Sequence, residues 1–198
     1  MVITNPVSTF YFGIISIFLM RVSKVTTKTG DQGETGLGDG SRISKDHPNI
    51  VFLGDLDELN SHLGLAITAC KSDGVRKQIQ DIQQDLFNIG GEASMPGSDI
   101  SLLNDDRVID LEKINNKMNE TLPPLEEFIL PGGDEFCARI HVSRAVCRRA
   151  ERSCISLVKA GDNKKNWLPY LNRLSDFLFV LVRYTNQIQG GNETLWVR

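Results

Sequence analysis

The clearest structural signal in this chain is the segment 75–93, VRKQIQDIQQDLFNIGGEA. Its apolar residues follow one another at alternating steps of four and three, and they are Val75, Ile79, Ile82, Leu86, Ile89 and Ala93. Because an α-helix turns once in about 3.6 residues, this spacing puts all of them on one stripe of a helix. Such a stripe packs against other helices. The segment therefore predicts one long helix of a bundle, ended by Pro96 and Gly97.

Similar patterns on both sides of this segment predict four more helices. Their approximate bounds, set by polar caps, prolines and glycines, are 55–70, 104–122, 135–159 and 167–189. Asn104 is the expected cap of the third helix and Asp134 that of the fourth, which ends before Gly161. The fifth contains FLFVLV and is apolar nearly all round, so it is expected at the centre of the assembly. Since no convincing strand pattern is present, the chain predicts an all-α, five-helix bundle.

The composition is typical of one globular domain. The chain has 198 residues, of which 40% are hydrophobic and 24% charged. Its net charge of -3 argues against a nucleic-acid-binding protein, because such proteins concentrate basic residues on one face. The expected partners are small molecules or other protein chains. Four cysteines without the close pairing of a metal or redox site indicate free thiols in a reducing compartment, which favours the cytoplasm.

Residues 1–22 form an apolar N-terminal extension. Their run TFYFGIISIFLM has 12 residues, whereas a membrane-spanning helix needs about 20. A secretory signal would have basic residues before the run and a small-residue cleavage site after it, and neither is present. Met20 is the expected translation start, which makes residues 1–19 upstream sequence; a membrane tether is the minor alternative. Residues 23–198 are expected to form a single domain.

A glycine-rich segment at 27–45, TKTGDQGETGLGDGSRISK, is the first candidate binding element. Glycine permits the tight turns that point successive backbone N–H groups at one anion. Lys28, Arg42 and Lys45 add positive charge, so a polyphosphate would fit this loop. The GK[ST] ending of a P-loop is absent, and a plain flexible loop is the alternative interpretation.

The segment RAVCRRAER supplies the second candidate. Arg144, Arg148, Glu151 and Arg152 lie at offsets of zero, four, seven and eight, which is one side of a helix. Guanidinium groups bind phosphate oxygens in bidentate fashion, so this face predicts an anion site. Glu151 can pair with Arg148, three residues away, which still leaves positive charge for a phosphate. The alternative is a solvated face with ion pairs.

Two further polar groups interrupt apolar helices. Asn172 and Asp176, in NRLSD, lie one turn apart in the most apolar helix, and they are expected to be buried with partners on a neighbouring helix or a ligand. Asp55, Asp57 and Glu58, in GDLDELNS, are expected near the start of the first helix, where the helix dipole favours acids. An arginine of another subunit is the second expected partner for these acids.

The catalytic signals that are missing restrict the reaction. The three histidines are isolated, no Glu-x-x-His pair of a di-iron bundle is present, and no G-x-S-x-G motif occurs. No metal site is expected in the protein itself. A reaction here would be one in which the protein mainly positions its reactants.

Taken together, five segments resemble the PduO-type cobalamin adenosyltransferases. They are TKTGDQGETG, GDLDELNSHLG, FILPGG, HVSRAVCRRAER and NRLSDFLF. They occur in the family's order and spacing, and the resemblance extends from about Val25 to about Gln189. As a set these motifs are highly specific, although each alone is weak.

The resemblance implies a homotrimer with an active site at each subunit interface. One subunit would bind ATP through Thr27, Lys28, Thr29, Gly30, Thr35, Gly36 and Lys45. Its neighbour would bind the same ATP through Arg148, Arg149, Glu151, Arg152 and Asn172. Asp57 would pair with Arg144 across the interface, Phe128 would lie beneath the corrin ring, and these three with Arg148 are the expected catalytic residues. The family often has lysine where this chain has Gln32, which leaves one fewer cation near the phosphates.

The implied activity is transfer of the 5′-deoxyadenosyl group from ATP to cob(I)alamin, which gives adenosylcobalamin and triphosphate. Co(I) is itself the nucleophile, and Mg²⁺ would help to neutralise the leaving group. The implied protein partners are a reductase and an adenosylcobalamin-dependent enzyme, with neither nucleic acid nor membrane involved. The alternative is a non-catalytic cobalamin carrier or a nucleotide-sensing helical bundle.

Overall fold

The computed structural model describes residues 26, 28–159 and 166–198, which form five helices and two short strands. In chain order they are β1 Glu34–Gly36, β2 Arg42–Ser44, α1 Pro48–Ile67, α2 Asp73–Ala93, α3 Arg107–Asn119, α4 Glu135–Lys159 and α5 Trp167–Ile188. The structure divides after Glu34 into a short N-terminal unit and a second unit, Thr35–Arg198, that holds the five described helices. The prediction of an all-α, five-helix bundle is confirmed.

The helices pack as the apolar stripes predict. The stripe of α2 is buried from Ile79 to Ala93, and Val75 packs against the edge of the core. Helix α1 packs against α2 and α4, while α5 packs against α3 and α4. Helix α5 buries Trp167, Tyr170 and Phe177 completely, which agrees with its expected central place.

Helix α1 begins earlier than predicted, at Pro48, where His47 Nδ1 accepts the N–H of Asn49. The sequence pattern hides this start because Asn49 is polar yet buried, its side-chain amide donating to the carbonyl of Ala93. The first turn of α1 contains no acid. Asp55 therefore lies about two turns into the helix, and the helix dipole, which acts within the first turn, does not explain it.

Helix α3 is shorter than predicted. Asn104 is not its cap: its side-chain oxygen accepts the N–H of Asp106 in a local turn, and the helix begins at Arg107. The helix ends at Asn119, and Leu122 follows in a turn closed by its N–H to the Asn119 carbonyl. The cap predicted for α4 is confirmed, because Asp134 accepts the N–H of Cys137 at 2.8 Å.

The glycine-rich segment contains a small hairpin where only loop was expected. Strands β1 and β2 form a two-stranded sheet, and the turn between them is closed by the N–H of Leu37 to the carbonyl of Ser41. Gly38 donates its N–H to Ser94, at the end of α2, over 2.8 Å. A Cβ at Gly38 would come within 2.9 Å of the Ser94 hydroxyl oxygen and 3.2 Å of the Ser94 carbonyl oxygen, so a larger residue would require Ser94 to shift.

Two buried carboxylates of α2, which the sequence did not single out, connect the bundle. Asp85 accepts the Tyr170 hydroxyl at 2.7 Å and Arg107 Nε at 2.8 Å. The hydrogen bond between Arg107 and Asp85 raises the pKa of Arg107, and burial raises the pKa of Tyr170. Glu92 accepts the indole N–H of Trp167 and two backbone N–H groups before α3. These bonds tie α2 to α5 and to the start of α3.

The four cysteines are buried free thiols, as the sequence predicts. Burial raises the pKa of Cys137 to about 12 and that of Cys147 still further. Residues 1–25, with the expected start at Met20, lie outside the described residues, as does Gly161. None of the helices in the described part of the chain is long and apolar enough to cross a membrane.

Candidate active site

The arginines of α4 divide into two groups that face different neighbours. Arg149 turns toward α1, where its Nε lies 2.9 Å from Asp55 Oδ1 and its Nη2 pairs with Glu58. The hydrogen bond to Asp55 raises the pKa of Arg149. Two of the three acids expected to meet another subunit are thus paired within the chain. Asp57 is exposed and has no ion-pair partner among the described residues.

Arg144 lies on the other side of α4 and is a partly buried cation. Its guanidinium carbon lies 5.8 Å from the ring centroid of Phe179 on α5. Its Nε is buried and finds no hydrogen-bond partner in the described part of the chain. Burial and the positive charge of Arg148 lower the pKa of Arg144. Such a group requires an anion, since an unpaired buried charge is unfavourable.

Arg148 and Arg152 continue the same face toward solvent. Both are exposed, and neither forms an ion pair with a described residue. The expected pair of Glu151 with Arg148 does not form in the described residues, because Glu151 Oε1 accepts the Asn172 amide at 3.0 Å. The face therefore keeps an excess of positive charge, which is the electrostatic requirement for binding a phosphate chain.

Asn172 and Asp176 differ in burial, contrary to expectation. Asn172 is half-buried, and its amide bridges Glu151 on α4 and Arg173 on its own helix. Asp176 is exposed, so the prediction of two buried polar groups was wrong for it. Residues four apart are offset by only about 40° around a helix, so Asn172 and Asp176 both lie at the edge of the packed side, which an almost uniformly apolar pattern does not mark.

The N-terminal unit contains the first part of the glycine-rich segment. Lys28 has a φ of 59°, and Gly33, with a φ of 86°, donates its N–H to the carbonyl of Gly30 in a tight turn. Lys28 and Thr29 are exposed, while Gly30 is half-buried. Thr27 lies outside the described residues. The backbone of this unit therefore turns tightly between Gly30 and Gly33, and anion binding there stays a prediction.

The second unit contains the remaining residues of the glycine-rich segment. Thr35 is half-buried, whereas Gly36 and Lys45 are exposed on or next to the hairpin. Lys45 forms no ion pair with any residue that the structure describes. The hairpin is bound to the end of α2 through the Gly38 hydrogen bond. Lys45 directly follows β2, so its backbone position is fixed by this contact.

Phe128 is the most conspicuous apolar residue near the start of α4. Its side chain is 73% exposed, which is unusual for a large aromatic side chain. Its loop contacts the C-terminal tail, and its ring lies 6.3 Å from that of Trp196. The sequence did not predict roles for Trp196 or Phe179, because contacts between distant segments leave no periodic signal.

Other cavities and clusters do not compete with this face for the predicted residues. A groove of about 830 Å³ between α2, α3 and α5 is lined by none of them. In the described residues no three His, Cys, Asp or Glu side chains come together as a metal site. The predicted residues of one chain thus form a cationic face on α4, a turning glycine-rich segment and an exposed phenylalanine.

Comparison with known proteins identifies the family. A model of the family "Cobalamin adenosyltransferase" matches residues 25–185. The cobalamin adenosyltransferase of Cupriavidus metallidurans is 49% identical over 179 residues, covering 90% of this chain and 96% of that protein. The human corrinoid adenosyltransferase is 35% identical over 187 residues, and the match covers 90% of this chain and 75% of the human protein.

Solved structures agree with these sequence relatives. A phenylalanine-to-alanine variant of a PduO-type ATP:corrinoid adenosyltransferase from Lactobacillus reuteri, complexed with cobalamin and ATP, superposes with a TM-score of 0.83. It is 30% identical, and the match covers 88% of this chain and 100% of that one. Sequence, family model and fold thus agree along most of the chain, which belongs to the cobalamin adenosyltransferase family.

Proposed function

We propose that this chain transfers the 5′-deoxyadenosyl group from ATP to cob(I)alamin in active sites that neighbouring subunits of a homotrimer form together. The observation that carries the proposal is the cationic face of α4. Among the described residues, no acceptor meets the Nε of the partly buried Arg144, and the exposed Arg148 and Arg152 form no ion pair. The partly buried Arg144 in particular is a cation that a ligand or a neighbouring subunit would stabilise.

The reaction needs little covalent chemistry from the protein. The electron pair of Co(I) forms the bond to the 5′-carbon of ATP, the bond from that carbon to oxygen breaks, and triphosphate leaves with its electrons. No protein base or nucleophile takes part. The protein aligns the two substrates and neutralises the charge that develops on the leaving group. The three arginines of α4 and Lys45 are suited to the second task.

ATP would bind between two subunits. Lys28, Thr29 and Gly30, with Thr27, Thr35, Gly36 and Lys45, would surround the polyphosphate from one subunit. Arg148, Arg149, Glu151, Arg152 and Asn172 would bind it from the next. Arg149 already forms ion pairs with Asp55 and Glu58. It would therefore bind ATP only if one of these ion pairs is broken.

Mg²⁺ would enter with the nucleotide. This ion binds readily through phosphate oxygens and water without an all-protein cage. Bound there, it would help to neutralise the leaving triphosphate. A reductase would supply cob(I)alamin, and an adenosylcobalamin-dependent enzyme would take the product; the buried free thiols suit a cytoplasmic setting.

The direct test is an anaerobic assay with ATP and chemically reduced cobalamin, followed by the visible spectrum. Conversion to adenosylcobalamin with equimolar triphosphate is the expected result. Binding of both substrates without conversion would support the non-catalytic carrier instead. An unchanged melting temperature with ATP would exclude both, because any ligand that binds the native state stabilises it.

Phe128 is expected to act on the cobalt indirectly, by occupying the lower face of the corrin. An axial ligand changes how readily the metal accepts an electron, and a phenyl ring there keeps water and bases away. Phe128→Ala should therefore slow adenosylation that starts from Co(II) by roughly tenfold or more, with a much smaller effect when prereduced Co(I) is supplied. Equal losses in the two assays would contradict this role.

Asp57 and Arg144 are expected to pair between subunits. Asp57→Arg and Arg144→Asp should each weaken the trimer, and the double reversal should recover more assembly than either, with a coupling of about 0.5–3 kcal/mol. Sedimentation velocity at several protein concentrations measures the fraction of each variant that is trimeric. Reversing the exposed Lys77–Asp81 pair within α2 is the matched control and should leave assembly unchanged. Strictly additive effects of the two site variants would refute the pairing.

A further inference from the structure

The C-terminal tail pairs with the loop that carries Phe128. The N–H of Leu130 donates to the carbonyl of Thr194 at 2.8 Å, and the N–H of Trp196 donates to the carbonyl of Phe128 at 2.7 Å. Ile129 and Leu195 form an antiparallel bridge between these two bonds. Residues 192–198, called the C-terminal strap below, thus add a short β-ladder to the loop.

A buried arginine holds the strap and the loop onto the bundle. Arg183 of α5 is only 5% exposed, and its Nε donates to Glu193 in the strap at 2.9 Å. Its Nη2 donates to the carbonyl of Pro123, at the start of the loop, also at 2.9 Å. A second ion pair joins Arg198 to Glu127 at 3.2 Å. One guanidinium therefore fixes both segments relative to α5.

Side chains of the loop and of the C-terminal strap also contact each other at the surface. The rings of Phe128 and Trp196 lie 6.3 Å apart at 57°, a geometry in which aromatic pairs attract each other. The guanidinium of Arg198 lies 5.3 Å from the centre of the Trp196 ring. Phe128 is 73% exposed and Trp196 is 44% exposed. The position of the Phe128 ring thus depends on the strap, because the core does not enclose it.

We infer that the C-terminal strap is a positioning element for Phe128 and that Trp196 orients its ring beneath the corrin. The inference rests on the proposed function, since it gives a role to the neighbour of the residue proposed to exclude axial ligands. The family model ends at residue 185, so the strap lies beyond the part of the chain it describes. Trp196 acts through Phe128 and is not itself a catalytic residue.

The test compares adenosylation rates that start from Co(II) and from prereduced Co(I). Trp196→Ala should slow the first by roughly tenfold, because a misplaced group loses its effect, and change the second by less than about twofold. Trp196→Phe keeps an aromatic neighbour and should restore most of the rate. Val197→Ala, in the same strap but 86% exposed, is the matched control and should behave as the unaltered chain.

A double variant separates positioning from an independent contribution. If Trp196 acts only through Phe128, Phe128→Ala with Trp196→Ala should be no slower from Co(II) than Phe128→Ala alone. Removing the whole strap is a poorer test, because loss of Glu193 leaves Arg183 buried without its carboxylate. Circular dichroism and melting temperature establish that each variant is folded.

The outcomes distinguish this inference from the proposed function. If Phe128→Ala is selective for Co(II) and Trp196→Ala is not, the strap has no positioning role and the proposed function stands. Additive losses in the double variant also overturn the inference. If the unaltered chain yields no adenosylcobalamin from prereduced Co(I), the proposed function itself fails.

Discussion

Arg148→Ala is expected to lower turnover by at least about a hundredfold, the usual effect of removing a group that stabilises developing charge. Arg148 is exposed and forms no ion pair with described residues, so its loss should leave folding stability nearly unchanged. Its positive charge also lowers the pKa of the neighbouring Arg144, which indicates that the two guanidinium groups share one electrostatic environment. A triphosphate bound there would relieve their repulsion.

Steady-state kinetics and melting temperature measure this effect. Arg148→Lys should keep part of the activity, because lysine retains the charge but loses the bidentate geometry. Arg139→Ala is the matched control on the same helix: Arg139 pairs with Glu135 and donates to the carbonyl of Leu65, so its loss should affect stability more than turnover. Near-normal activity of Arg148→Ala would remove this residue from the active site.

Asp85→Ala is expected to produce the largest loss of stability, about 3–5 kcal/mol. The carboxylate is 6% exposed and accepts hydrogen bonds from both Tyr170 and Arg107. Without it a phenol and a guanidinium lose their partner in the interior, and an unpaired buried polar group is unfavourable. For a chain of this size the melting temperature should fall by roughly 10 °C.

Thermal unfolding at equal protomer concentration tests this prediction, since assembly also affects stability. Asp110→Ala is the matched control, because Asp110 meets the same arginine at 3.7 Å but its side chain is 41% exposed. That change should lower stability by less than about 1 kcal/mol. If the two variants lose the same amount, the buried network does not stabilise the bundle as described.

The bundle was predictable because its helices are long and carry regular apolar stripes. The stripe of α2 and the apolar run of α5 identified core helices from spacing alone. Helix ends were less predictable, since they depend on single contacts. Helix α1 starts early, at Pro48, where His47 caps it and the polar Asn49 is buried by bonding to Ala93, 44 residues away. Asn104 closes a local turn instead of capping α3.

The cationic face of α4 was predictable from the sequence, but the contacts around it were not. The spacing of Arg144, Arg148 and Arg152 indicated one cationic face. Spacing could not reveal that Arg149, one residue further, turns to the acids of α1. It could not reveal the contact of Phe128 with Trp196 either, because pairs so far apart in sequence meet only through the folded arrangement.

The Nε of Arg144, which is buried without a hydrogen-bond partner among the described residues, would make activity depend on assembly. A separated subunit holds this cation against an aromatic ring with no described oxygen to meet it. In the proposed trimer, a docking neighbour would bring Asp57, which would balance the charge and complete the nucleotide cleft in the same step. Quaternary structure and catalytic activity would then rise and fall together, so dilution alone would inactivate the enzyme.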